Sequence, residues 1–163
     1  MPQSTQMLST VELPNGSSPL DGVLTAGQPS AAQLQQLARA GLKSVIDLRA
    51  AGEPRGFDEA ATAAAAGLAY HNIPVTAASL GTAAFEQVRT LLRDRDLRPV
   101  LVHCASANRV GALLIPYLVL DEHRSSEDAM GIARAVGLRG DDLAHAATTY
   151  VAEQQARPSP KSD

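Results

Sequence analysis

The alternation of short apolar runs with longer amphipathic stretches predicts an α/β fold: a central, mainly parallel sheet of four or five strands, with helices on both faces. Two further observations support it. Three of the apolar runs end in polar groups, Asp47 and Arg49, His71 and Asn72, and Cys104. Parallel strands would gather these at one carboxyl rim, where open α/β sheets bind ligands. The chain is also 163 residues long and 45% hydrophobic, enough for one sizeable core.

The elements follow in order. Residues 1–20 hold Ser, Thr, Gln, Pro and Gly without a sustained period and predict a flexible N-terminal arm. Residues 22–27 form a short first strand. Ser30 with Gln33 is a capping box; Leu34, Leu37 and Ala38 follow at helical spacing and Gly41 stops the helix, which spans about 31–40. Residues 42–48 are a β-type run around Val45 and Ile46. An alanine-rich helix over 58–66 ends at Gly67, and residues 68–73 form the next strand, closed by Pro74. After an aperiodic loop over 75–81, Thr82 caps a helix whose apolar face is Phe85, Val88, Leu91 and Leu92. Its other face, Arg89, Arg93, Asp94 and Arg95, together with Arg98, reads as solvated surface. Residues 100–103 are a strand and 110–120 an apolar helix in which Pro116 removes the bond to Ala112 and predicts a kink. Two helices, 126–136 and 141–155, complete a single domain over 21–156. Residues 157–163 predict a solvated tail.

Composition excludes several classes of function. There are 17 acidic and 14 basic residues, dispersed, with two Phe, three Tyr and no Trp, which supplies neither the charge nor the stacking platform of a nucleic-acid surface. The apolar stretch 110–120 is too short for a membrane span, and the N-terminus lacks the pattern of a secretory signal. One cysteine makes no internal disulfide and is best kept in a reducing cytoplasm. His71, His103, His123 and His145 show no metal-ligand spacing, and no dinucleotide fingerprint follows a strand. The oligomeric state is not legible.

The chemistry concentrates in the loop from Cys104 to Arg109. A thiolate is favoured at a helix N-terminus and beside a cation, and the helix beginning near residues 108–110 and Arg109 supply both. Small residues let the backbone N–H groups of Ala105, Ser106, Ala107 and Asn108 turn inward around an anion, with Arg109 gripping two of its oxygens. His103 is a supporting partner whose ring hydrogen-bonds near the thiolate.

His103-Cys104 followed closely by Arg109 resembles the signature loop of the cysteine-dependent tyrosine and dual-specificity phosphatases. The resemblance extends through residues 25–30 (Thr-Ala-Gly-Gln-Pro-Ser), 45–49 (Val-Ile-Asp-Leu-Arg) with Gly52 and Glu53, 71–75 (His-Asn-Ile-Pro-Val), and 103–111. This set is similar to the bacterial phosphatase-like group found beside or fused to metallo-β-lactamase-type hydrolases, and covers about residues 20–140. It implies a phosphatase-like α/β fold, a cysteinyl-phosphate on Cys104, phosphate binding by Arg109 and residues 105–108, a phosphorylated substrate, and no metal or organic cofactor.

The chain departs from the phosphatase pattern in three places. The loop is one residue shorter, with four residues between Cys104 and Arg109. Val110 replaces the hydroxyl residue that helps the thiolate leave. The loop over 75–81 lacks the usual aspartate general acid, whose protonation of the leaving group contributes on the order of 100- to 10,000-fold. Asp47, Glu53, Asp58 and Glu59 are the candidate substitutes, Asp47 first because its strand ends on the rim. Two alternatives therefore remain open: a rhodanese-like sulfurtransferase carrying a persulfide on Cys104 from a small sulfur donor, which needs no acid, and a non-catalytic anion-binding module.

Overall fold

The computed structural model describes residues 3–76 and 78–157. Five strands form one sheet in the order β1-β2-β5-β3-β4: β1 (Ser17–Leu20), β2 (Val23–Ala26), β3 (Ser44–Asp47), β4 (Ala69–Asn72) and β5 (Val100–His103). All neighbours are parallel except β1, which runs antiparallel to β2. Among the described residues seven α-helices surround the sheet: α1 (Gln3–Thr10), α2 (Ala31–Arg39), α3 (Glu59–Ala65), α4 (Thr82–Arg93), α5 (Asn108–Pro116), α6 (Ser126–Val136) and α7 (Asp141–Ala156). None of the described helices is long and apolar enough to cross a membrane.

Register puts the functional residues at one level. Ala26 and Asp47 both pair with His103, and Asn72 pairs with Asp47, so four strand ends reach the same rim. Alternation along the pleat then separates two cores. Val23, Ile46, Val100, Val102 and Cys104 face α4 to α7, while Leu24, Ala26, Val45 and Leu101 face the layer of α1, α2 and α3.

The N-terminal stretch expected as a flexible arm packs against the domain over residues 3–20. α1 buries Met7, and Val11 and Leu13 follow it into the second core. Ser4 Oγ accepts the N–H of Gly22, and Ser18 donates to the same oxygen. The segment is anchored by a few apolar side chains and by β1 pairing, neither of which gives a periodic signal. Of the predicted tail, residues 158–163 lie outside the described residues.

α2 keeps the predicted capping box between Ser30 and Gln33. The N-cap of α4 is Gly81, with Thr82 the first helical residue. At Pro116 the apolar helix does more than kink: the missing N–H is followed by a π-helical turn over Tyr117–Asp121, which widens the ladder where one bond is lost. That turn presents Asp121 to α4. Arg89 Nε donates to Asp121 Oδ2 at 2.7 Å and Arg89 also bonds the Tyr150 hydroxyl; Arg93 joins the same carboxylate. Arg98 is buried, donating to the carbonyls of Asp21 and Leu92 and to the Tyr117 hydroxyl. Arg89 and Arg98 of the expected solvated face therefore work as internal cross-bracing, while Arg93 and Arg95 keep exposed side chains, Arg95 in a loose pair with Glu122.

Candidate active site

The site is assembled where β5 gives way to α5. Cys104 is 1% exposed at the end of the strand, and the loop after it is tied down on two sides. Gln28 donates its backbone N–H to the Ala105 carbonyl at 3.1 Å. Gly27 approaches so closely that a Cβ there would lie 2.6 Å from the Ala105 oxygen, so no larger residue fits. On the other side Asn108 Oδ1 accepts the N–H groups of Arg139 at 2.7 Å and Gly140 at 3.2 Å, and Arg139 donates to the Ser106 hydroxyl. α5 packs tightly against the segment that delivers these contacts, because a Cβ on Gly111 would meet the Ala133 carbonyl at 2.7 Å.

Ala107 ends the loop at φ 69°, ψ 1° and is the N-cap of α5, with no side chain able to cap it. Left-handed backbone costs a non-glycine residue about 1–2 kcal/mol. The turn it makes leaves the first-turn N–H groups of α5 uncapped by any side chain, which is the arrangement that binds an oxyanion at a helix N-terminus.

Arg109 shows a division of its five donors. Two go to Glu53, NH1 to Oε2 at 2.7 Å and NH2 to Oε1 at 2.8 Å, and a third goes from NH1 to the Val75 carbonyl at 3.0 Å. Among the described residues the Nε–H and the second NH2 hydrogen, which share the opposite edge, bond no oxygen, and the Cys104 sulfur lies close enough to interact with Arg109. That edge is a ready two-pronged grip for an anion. The guanidinium is held above its ordinary pKa, chiefly by the Glu53 bond against the cost of burial, with Cys104 contributing as well. Glu53 in turn is pulled down to about 2 by Arg109, despite partial burial. It is ionised at neutral pH and orients Arg109, so it cannot donate a proton to a leaving group.

Arg109 opens into a cleft of about 900 Å³. Val75, Thr76 and Leu80 line one side, and Gly140, Asp141, Asp142, Leu143 and Ala146 the other.

Asp47, the sequence's first candidate for the acid, is elsewhere. It is fully buried on the other face of the rim, where it accepts bonds from the Arg49 N–H at 2.9 Å, Arg55 Nε at 2.7 Å and the Tyr70 hydroxyl. Burial works against Arg55's charge, but the Asp47 bond and charge outweigh it and the guanidinium is held above its usual pKa; burial and then Asp47 push the Tyr70 phenol up. The expectation failed because a strand end delivers its side chain to one of two faces, and later residues, Arg55 and Tyr70, occupy this one. Asp58 also takes no part: it caps α3 by accepting the Ala61 N–H.

Glu59 bonds His103 Nε2, while His103 Nδ1 lies 3.3 Å from the Cys104 carbonyl. The imidazole is thus held between the Glu59 carboxyl and the Cys104 carbonyl. The bonding continues through Gln28, which donates to Glu59 Oε1 at 2.7 Å and accepts from Arg49 NH1 at 3.0 Å. Arg49 Nε then reaches Glu53 Oε1 at 3.2 Å. A chain of hydrogen bonds thus runs from the Cys104 carbonyl through His103, Glu59, Gln28, Arg49 and Glu53 to Arg109. Asp47, Glu59 and His103 bring ligand-type atoms within 4.8 Å of one another, but Asp47 and Glu59 spend their oxygens on these bonds, so a metal would have to displace them. The sequence had marked Arg109, His103 and residues 105–108; the roles of Gln28, Glu53 and Glu59 as braces were not visible, since their spacing matches no local pattern.

Residues 16–153 match a family described as a DSP-PTPase phosphatase fused to NAD+ kinase. The chain belongs to this family. The beta-lactamase hydrolase-like protein of Xylella fastidiosa (strain 9a5c) is 32% identical over 140 residues, which are 83% of this chain and 31% of that protein. Its namesake in Agrobacterium fabrum (strain C58 / ATCC 33970) is 30% identical over 135 residues, 80% of this chain and 30% of that one. The chain therefore matches under a third of the length of these curated relatives. Among solved structures it is similar to a DUF442 phosphatase-group protein of Shewanella putrefaciens CN-32, with a TM-score of 0.73 and 21% identity over 92% of this chain and 98% of that one. P. aeruginosa TpbA gives a TM-score of 0.63 and 22% identity, over 85% and 84%. The DSP-PTPase family membership and these likenesses agree with the α/β sheet and its loop between β5 and α5.

Proposed function

We propose that this domain is a cysteine-dependent phosphatase of the dual-specificity type, hydrolysing phosphotyrosine-like or small phosphomonoesters through a cysteinyl-phosphate on Cys104. The observation that carries the reading is the divided Arg109: one edge fixed by Glu53, the other open, five positions after the thiol in a loop whose helix N-terminus is uncapped. A phosphoryl group seated there would meet the open Arg109 edge and the N–H groups of residues 105–109 with two or three of its oxygens. The Cys104 thiolate attacks phosphorus, the ester P–O bond breaks, and the charge spread over the equatorial oxygens falls on donors already in place. Water then cleaves the S–P bond and releases inorganic phosphate. A complex of TpbA with pTyr supports the ester class. The chemistry requires Cys104 to stay reduced, which a cytoplasm provides.

The test is phosphate release from an activated aryl phosphate, run beside Cys104→Ser and beside thiosulfate with cyanide as a sulfur-transfer control. Release that vanishes in the variant, with a phosphate trapped on the wild-type thiol, is the expected result. Thiocyanate formation without phosphate release would replace the reading with sulfur transfer.

A further inference from the structure

A phosphatase needs a proton for its leaving group, and the carboxylates first considered for that task are all engaged. Asp47 is buried among Arg49, Arg55 and Tyr70, Glu53 holds Arg109, Glu59 holds His103, and Asp58 caps α3. Two other carboxylates line the Arg109 cleft, Asp141 and Asp142 at the start of α7. Resting on the phosphatase reading above, we infer that Asp142 is the general acid and base of the reaction, supplied by α7 on the far side of the signature loop.

Three observations converge on it. The turn that carries Asp142 is fastened to the signature loop itself, because Asn108, the residue before Arg109, accepts the N–H groups of both Arg139 and Gly140. The position of α7 relative to the open edge of Arg109 is thereby fixed from within two residues of Asp142. Helical spacing then selects between the two aspartates. Leu143 and Ala146 line the cleft; Asp142 lies one turn before Ala146 and shares its face, whereas Asp141 lies one turn before His145, which lines only the adjoining cavity that shares Leu80 and Ala146 with the cleft. Finally, the Asp142 side chain, like that of Asp141, is exposed and has no hydrogen bond or ion pair among the described residues. It is uncommitted where the others are committed.

Each proton is accounted for. As the thiolate forms its S–P bond and the ester P–O bond breaks, the carboxyl proton of Asp142 passes to the departing oxygen, leaving an alcohol or phenol. The resulting carboxylate accepts a proton from the water that attacks the cysteinyl-phosphate, and phosphate leaves with the thiolate restored.

The experiment compares two esters that differ in how badly they need that proton: nitrophenyl phosphate, whose leaving group departs readily, and unsubstituted phenyl phosphate, whose leaving group does not. Asp142→Asn and Asp142→Ala are expected to slow cysteinyl-phosphate formation from phenyl phosphate on the order of 100-fold and from nitrophenyl phosphate by less than about 10-fold. The retained nitrophenyl rate shows that the variants are folded. Asp141→Asn should leave the ratio between the two esters at its wild-type value. An equal loss on both esters, an unchanged ratio in the Asp142 variants, or a selective loss in Asp141→Asn overturns the assignment while leaving the phosphatase reading intact. If the wild-type protein cleaves neither ester, both fall together.

Discussion

The two sides of the carboxyl rim use the same residue types to opposite ends. Beneath the sheet, Asp47, Glu59 and His103 are fully buried, and Arg49 and Arg55 nearly so, each charge matched to the next. Above it, in the cleft, Arg109 keeps one edge unfilled and Asp142 stands uncommitted. Burial makes an unmatched charge costly, so the lower side is saturated and rigid. The upper side can leave donors and a carboxylate open because solvent covers them until a substrate does. What distinguishes a brace from a reagent here is the number of hydrogen bonds left unmade, not the kind of side chain.

Breaking the saturated side should have the largest effect. Glu59→Ala leaves His103 and Gln28 facing an unfilled buried site and should cost about 3–5 kcal/mol of folding stability, measured by urea unfolding; a loss below about 1 kcal/mol would show that the lower network is not a brace. On the open side, Arg109→Lys substitutes a point charge for the fork and should lower kcat/KM by about 100- to 1000-fold with stability little changed. Unchanged turnover would mean that the open edge does not hold the substrate.

Glu53 joins the two regions, and acid separates them. Its carboxyl has an ordinary value of 4.5, which the unfolded chain recovers, and about 2 when bonded to Arg109. Because the folded value is the lower one, the pair's contribution is fully present above about 4.5 and disappears as the pH falls toward 2. Urea midpoints across that window should fall more steeply for the wild type than for Glu53→Gln; parallel curves would mean that the clamp contributes nothing to folding. The smallest effect is expected at Ala107→Gly. Relief of the left-handed conformation, about 1–2 kcal/mol, is offset by a lost buried methyl and by the extra freedom of glycine in the unfolded chain. Stability should stay within about 1 kcal/mol of wild type, and a larger gain would show strain stored in the loop.

Much of this architecture was legible because it rests on local rules. The Ser30–Gln33 box, the glycine stops and the apolar runs at residues 45, 46 and 100–102 each specify their own element, and parallel pairing then brings their ends together. The anion loop was legible for the same reason: Cys104, small residues and Arg109 are consecutive. Other features depend on partners distant in sequence. Asp47 looked available because nothing local shows that Arg55 and Tyr70 converge on it. Arg89 and Arg98 looked solvated because Asp121 and Tyr117 reach them only through the π-helical turn after Pro116. Asp142 was not singled out, since only the Asn108 bonds place its turn beside the loop.

The family match begins at residue 16, but the folded unit begins earlier. Met7, Val11 and Leu13 are shielded only because they fill the second core beside Leu24 and Leu101, and Asn15 donates its side-chain amide to the Ser106 carbonyl. Anyone trimming the chain to its family boundary for expression would strip a greasy patch of its cover and untie one strand of the reactive loop. A chain cut at residue 16 should therefore aggregate more readily than the full chain.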